Sequence, residues 1–404
     1  VLVALLPVVL AAPPAEAGVR AVRVLVNGSD LVPDPSEEEP SRRAGRPETP
    51  QDSWLISPVL APGLVFSAVG LHWTGLPDAG LELSVSADGA RWGPWITVPP
   101  DGMIASVRED GEPNPWAGET RGALVFVDPG SRLLRCRARR QAGPAAEGAP
   151  DRIAFHVIDA GLAPEGALFA FGPGATAPPG PGGAVRAEAV QPHRTPAPPP
   201  EIPDRAPPAK EPPISSRASW GARPPKAAYT HTLAGHLGVH HTATVEDGTA
   251  GTWEECAARL RAIQAWHMDT NGWNDIGYAY VVCGHGHVFQ AREDDDDATD
   301  VQGAHDGFNR GSSGLAALGY FHPPVDQRPS GAQLAALVEL AAWIASRRDI
   351  DPLGRSFYAA FGAPVDNVYG HRDVGATACP GDHLYNLLAP LRTAIGERVL
   401  RQVY

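Results

Sequence analysis

Three residues able to hold a metal stand beside small residues and turn formers: His240 in Val239-His240-His241-Thr242-Ala243, His371 in Gly370-His371-Arg372-Asp373, and Cys379 in Thr377-Ala378-Cys379-Pro380-Gly381. Two imidazoles and a thiol are the ligands of an open catalytic zinc site, in which three protein donors hold the ion and water keeps the fourth position. Such a site makes hydroxide near neutral pH and polarises a carbonyl, the chemistry of amide hydrolysis. Singly, each residue is ambiguous: a His-His pair after an apolar strand is more often structural, and a lone cysteine can be a buried thiol. The gap between His371 and Cys379 exceeds one helical face, so a loop must fold back to bring both together.

The elements that must position these residues form a mixed α/β pattern from Ile214 to Tyr404. Leu237-Gly238-Val239 reads as a buried strand that delivers His240 at its end. Trp253 to Met268 places Ala257, Leu260, Ile263 and Trp266 near helical spacing. Tyr278 to Val282 and His287 to Gln290 predict paired strands around a glycine-containing turn. Ser330 to Arg347 predicts an amphipathic helix with Ser330 as N-cap. A last helix covers about His383 to Leu400, interrupted or restarted at Pro390.

Upstream the texture changes. Residues 19–170 carry short alternating runs such as Leu81 to Ser86, Ala123 to Val127 and Arg152 to Val157, broken by Gly, Pro and Asp. Period-two alternation with frequent turns predicts an all-β, sandwich-like domain of unknown binding role. Trp92 and Trp95 flank one turn and either stack on sugar rings or fill a core. Residues 171–213 are dense in proline and poor in large apolar side chains, which predicts a semi-extended linker. It acts either as a plain spacer or as a tether that lets one domain stay bound while the other samples substrate. On that reading a chain lacking everything before Ile214 folds and works. Residues 1–17 read as a secretory signal peptide, entered part-way, with Ala15-Glu16-Ala17 as its cleavage site.

The 404 residues are 43% hydrophobic, so each domain can bury a core, and the net charge of -13 argues against a nucleic-acid partner. No segment after the leader is apolar enough to span a bilayer, which predicts an exported chain, secreted or periplasmic and cell-wall associated, without stable membrane insertion. With Cys379 reserved for metal, Cys136, Cys256 and Cys283 remain, and Cys256 with Cys283, in one domain, is the expected disulfide in an oxidising compartment. The run Glu293 to Asp297 lacks the ligand-and-glycine alternation of a calcium loop and reads as a solvated loop.

From about Ser215 to the C-terminus the chain resembles the superfamily of type 2 N-acetylmuramoyl-L-alanine amidases and peptidoglycan recognition proteins. The likeness is carried in order by Ala218-Ser219-Trp220-Gly221-Ala222-Arg223, Val239 to Ala243, Ile263 to Met268, Gly272 to Tyr278, Gly303-Ala304-His305 with Asn309, and Gly370 to Asp373 ending in Thr377 to Gly381. The resemblance implies an α/β amidase domain over residues 214–404, with a mixed central sheet flanked by helices. It implies Zn2+ held by His240, His371 and Cys379, and hydrolysis of the bond between N-acetylmuramic acid and L-alanine. Tyr278 matches the family's catalytic tyrosine, whose phenol can hydrogen-bond the attacking water or the oxyanion. Thr377 stands where phage lysozyme-type relatives carry a lysine, and a hydroxyl there still polarises the oxyanion, more weakly.

For substrate binding the resemblance points to Gly272 and Trp273, to Arg292 as partner of a diaminopimelate carboxylate, and to His241 and His305 along the groove. Arg292 could instead balance the neighbouring acidic run, and either histidine could be a packing residue. The implied partner is peptidoglycan, of diaminopimelate type, met by a monomer. A non-catalytic peptidoglycan receptor is the alternative; it predicts a missing zinc ligand, and Cys379 speaks against it. A zinc peptidase would carry an HExxH helix, and none is present.

Overall fold

The computed structural model describes residues 10–11, 19–35, 53–76, 80–104, 113–139, 149–161, 210–245, 252–292, 298–304 and 307–401. The proline-rich linker, apart from residues 210–213, and the acidic run 293–297 fall outside them. So does the predicted leader, apart from Leu10–Ala11, which pairs antiparallel with Arg23 and Val22.

In the first half, two sheets face each other. One holds β1 (Arg20–Asn27), β3 (Phe66–Thr74), the hairpin β6 (Pro100–Met103) and β7 (Thr120–Gly122), β8 (Leu124–Ser131) and β10 (Arg152–Asp159), with β10 between β1 and β3. The other holds β2 (Trp54–Ile56), β4 (Leu81–Ser86), β5 (Ile96–Val98) and β9 (Leu133–Arg139), with β9 between β2 and β4. Val69, Leu71, Ile153 and Phe155 from the first sheet meet Leu83, Leu134 and Cys136 from the second in one apolar core. Trp92 and Trp95 lie outside that core, and guanidinium groups cover their faces. Arg135 Cζ stands 4.3 Å over Trp92, and Arg137 Cζ stands 4.5 Å over Trp95 and 4.3 Å over Trp54.

In the second half, a mixed sheet runs in the order β11 (Ile214–Ser215), β15 (Val288–Gln290), β14 (Tyr280–Val282), β16 (Ser312–Ala317), β12 (His236–His241) and β17 (Val368–Gly370). Strand alternation assigns its faces. Leu237, Val239, Tyr280, Val282, Leu315 and Ala317 pack on α2 (Gly331–Arg347) and α3 (Leu388–Arg401), whereas Val281 and Ala316 face α1 (Trp253–Ala265). Thr252 starts α1 by accepting from the Glu255 N–H at 3.2 Å while the Glu255 carboxylate accepts from the Thr252 N–H at 2.9 Å, a reciprocal cap. Ser330 caps α2 as expected, its Oγ accepting from the Gln333 N–H at 3.0 Å. The last helical stretch breaks before Pro390, which then sits in the first turn of α3, where its missing N–H costs no helical bond.

The halves do not hang apart on a tether. After His241 the chain turns at Ala243, which has φ 52°, and β13 (Thr244–Val245) adds a parallel edge to the first sheet of the β-region, Leu124 opposite Thr244. Ala68, Leu124, Phe126 and Ile158 share an apolar cluster with Leu260, Ile263 and Trp266. A Cβ on Gly70 would stand 2.4 Å from the Trp266 ring, so only glycine lets that indole lie on β3. Strands β3 and β10 are therefore buried on both faces, where an isolated sandwich would leave one wet.

A polar chain crosses the same boundary. His72 Nδ1 lies 2.5 Å from Glu119, His72 Nε2 lies 2.7 Å from His156 Nε2, and His156 Nδ1 lies 2.9 Å from Thr270 Oγ1. Removing residues 1–213 would bare Leu260 and Ile263 at about 1.5–3 kcal/mol for each side chain. Contrary to the tether reading, the shortened chain should aggregate or melt well below the full chain in a thermal scan.

Candidate metal and catalytic site

His240, the last but one residue of β12, lies on the face opposite Leu237 and Val239, so the alternation that buries the strand also aims this ring away from α2 and α3. Gly238 leaves room for it: a Cβ there would stand 3.2 Å from His240 Nε2 and 2.9 Å from the Tyr369 hydroxyl. His371 opens a short 3-10 turn after β17, capped by Asp373, whose carboxylate accepts from the Gly370 N–H at 2.9 Å and from the Tyr385 hydroxyl at 2.5 Å. The loop to Cys379 folds back as the spacing requires. The Gly375 N–H donates to His371 O at 2.9 Å, and the Arg372 N–H closes the loop on Cys379 O at 2.9 Å.

The donors of His240, His371 and Cys379 lie within 4.8 Å of one another, and His240 Nδ1 is 3.5 Å from Cys379 Sγ. Two imidazoles and a thiol converging on one point fit zinc in both number and softness. They line an inner chamber of about 100 Å³ together with Tyr278, Trp266 and Trp273. A wider cavity of about 630 Å³ shares His371, Cys379, Thr377, His241 and Trp273 with it.

The residues around the triad have defined protonation and hydrogen bonds. Tyr278 Oη donates to His241 O at 3.3 Å, and its ring is 5.7 Å from that of His240. Burial first, then the charges of Cys379 and Asp101, hold its phenol well above the usual range, so it stays protonated. His241 Nδ1 accepts from the Phe321 N–H at 3.3 Å, which places the ring proton on Nε2. Burial is the main cause that lowers its pKa to about 3. The exposed Thr377 accepts from the Cys379 N–H at 3.1 Å and keeps its own O–H to donate. Gly272 has φ 75°, a conformation that suits glycine, and turns the chain so that Trp273 lines both cavities.

Arg292 departs from expectation. It is 2% exposed and lines neither cavity. Its guanidinium donates to Ile276 O at 2.8 Å, Asp275 O at 3.1 Å and Gln302 O at 3.2 Å, so it ties loops together and cannot reach a substrate carboxylate. His305 lies outside the described residues. Cys256 and Cys283 are joined in a disulfide that ties α1 to the end of β14, with Cα atoms 6.2 Å apart, and Cys136 is a free thiol in the β-region core. Sequence reasoning missed Asp101 and Arg121. Both line the inner chamber and the outer cavity, and no local motif links them to the triad.

Comparison with known proteins places this site in a family. Residues 234–382 match the family model described as N-acetylmuramoyl-L-alanine amidase. Peptidoglycan-recognition protein SC2 of Drosophila simulans is 34% identical over 177 residues, 43% of this chain and 83% of that protein. The chain belongs to the peptidoglycan-recognition protein and type 2 amidase superfamily. Among other members, the N-acetylmuramoyl-L-alanine amidase of Homo sapiens is 34% identical over 180 residues, 44% of this chain but only 28% of its own length. The matched span of the family model contains His240, His371 and Cys379 as well as Tyr278 and Thr377.

Proposed function

We propose that this chain is a zinc-dependent amidase that hydrolyses the bond between N-acetylmuramic acid and L-alanine in peptidoglycan. The observation that carries this reading is the convergence of the His240, His371 and Cys379 donors within 4.8 Å at the wall of the inner chamber. When bound there, zinc supplies a Lewis acid for the amide carbonyl and an activated water at neutral pH.

The chain's own residues do the rest. Tyr278, kept protonated by burial, becomes a phenolic donor for the charge that develops on the carbonyl oxygen by giving up its long bond to His241 O. Thr377, held by the Cys379 N–H, offers a second hydroxyl from the rim. His241, neutral with its proton on Nε2, donates a hydrogen bond and adds no charge. Trp273 supplies a flat wall for a sugar or peptide unit. The working unit is an exported β-region, residues 19–170, joined by residues 171–213 to the amidase domain, residues 214–404. No helix among the described residues is long and apolar enough to cross a membrane.

A soluble muramoyl-peptide tests this. Its cleavage should stop in a zinc chelator and return on adding zinc in one equivalent per chain. Unchanged cleavage by protein stripped of metal would overturn the reading.

A further inference from the structure

We propose that the β-region is a working wall of the substrate groove, and that Asp101 with Arg121 on its β6–β7 hairpin is a positioning pair for the amide and hydroxyl groups of the glycan-peptide. This inference rests on the amidase reading above. It starts from where the hairpin lies. Asp101 and Arg121 line both the inner chamber with the triad and the outer cavity, and Pro100, Gly102, Met103 and Ile104 line the outer cavity beside them. The hairpin is fixed in place. Met103 pairs with Thr120 and Pro100 with Gly122, while β7 pairs with β3, so the wall is an extension of the sheet.

The pair is preorganised. Arg121 Nε and Nη2 donate to the Asp101 backbone carbonyl at 3.2 and 2.7 Å, and Nη2 lies 3.1 Å from the Asp101 carboxylate. The side chains remain 19% and 37% exposed, in contact with the cavity. These contacts use one edge of the guanidinium and one carboxylate oxygen. That leaves the other edge as a donor and the other oxygen as an acceptor on two side chains already tied to each other. An amide has the complementary order, with a carbonyl to accept and an N–H to donate. The pair is also neutral as a unit, which suits acetamido, peptide and hydroxyl groups more than a lone anion. With Arg292 buried, Arg121 is the one guanidinium among the described residues that lines the groove, and it comes from outside the matched family span. Trp266 reinforces the link, because it lines the inner chamber and rests on Gly70 of β3.

The test uses the full chain, with kcat, KM, zinc content and melting temperature measured on a soluble disaccharide-peptide, and Kd for the same compound measured by calorimetry. Arg121→Ala should raise KM and Kd about tenfold, the loss expected for a hydrogen bond to a charged group, with zinc per chain unchanged. Arg121→Lys keeps the charge and stem but not the planar fork, and should show most of the same rise. If Arg121→Ala does not fold, Arg121→Lys alone decides on the same criterion. Wild-type KM and Kd in the folded variants, with or without a lowered melting temperature, would overturn the proposal. Tight binding by the wild type without turnover would defeat the amidase reading instead, and Kd would still report on the wall.

Discussion

His240 and His371 form one imidazole cluster in this molecule, and His72 and His156 form another. In the first, two rings 4.7 Å apart and the Cys379 thiol converge on a single point beside a cavity. In the second, two rings 4.9 Å apart join a line from Glu119 to Thr270. One set of protons satisfies that line. The Thr270 O–H donates to His156 Nδ1, His156 Nε2–H donates to His72 Nε2, and His72 Nδ1–H donates to Glu119.

Burial lowers the pKa of both relay histidines, most strongly His156, which fits neutral rings. Burial raises Glu119, but the hydrogen bond from His72 and the charge of Arg152 outweigh it and hold the carboxylate below its usual value. The same residue type thus serves two ends. A convergent set of donors leaves space for an ion, whereas a linear chain uses each ring as both donor and acceptor and locks two layers together.

The largest test of that contrast is Cys379→Ala. It should abolish zinc binding and turnover while the melting temperature of metal-free protein stays near that of the metal-free parent. Full activity in this variant would sink the site assignment. Next comes Tyr278→Phe, expected to lower kcat about 10²-fold, the scale of one lost oxyanion donor, with zinc retained; loss of the metal would mean the phenol is structural.

His156→Leu should do the opposite of Cys379→Ala. Zinc content stays, but His72 and Thr270 lose partners, and denaturant unfolding should show a loss of about 1–3 kcal/mol. An unchanged midpoint would show the relay to be idle.

The smallest effect is in pH. The folded pKa values of His72 and His156 lie below the unfolded value of about 6.5, so below that pH the unfolded chain takes up protons the native chain refuses. Stability should therefore be level above about pH 7 and fall as pH drops below about 6.5, with a gentler fall in His156→Leu. A fall on the alkaline side alone would contradict the neutral-ring assignment.

Much of the second half was legible in the sequence because its signals are local. Leu237-Gly238-Val239 lies in a buried strand that carries His240 near its end, Ser330 caps α2, and the fold-back from His371 to Cys379 follows from spacing alone. Boundaries moved where backbone chemistry is not written in hydrophobic period. The predicted helix to Met268 is α-helical to Ala265 and then widens into a π turn over Trp266–Thr270, next to the site.

Arg292 was assigned to a substrate carboxylate by its place in the resemblance, and a position in a motif says nothing of burial; four carbonyls around Asp275 to Gly303 claim its guanidinium. The docking of the two halves was illegible for a related reason. Alternation in β3 and β10 marks two faces, but the outer face carries Ala68 and Ile158 as well as polar residues, and only the folded chain reveals α1 against it. Asp101 and Arg121 reach the groove through that docking, so no reading confined to one domain could place them there.

The most direct test of the account is digestion of purified diaminopimelate-type peptidoglycan by the full chain, with and without a zinc chelator, followed by mass analysis of the fragments. Free stem peptides with an L-alanine N-terminus and intact glycan are expected, lost on chelation and restored by zinc. Bound but uncut polymer, with zinc confirmed at His240, His371 and Cys379, would contradict the account and leave a receptor that keeps its metal for structure.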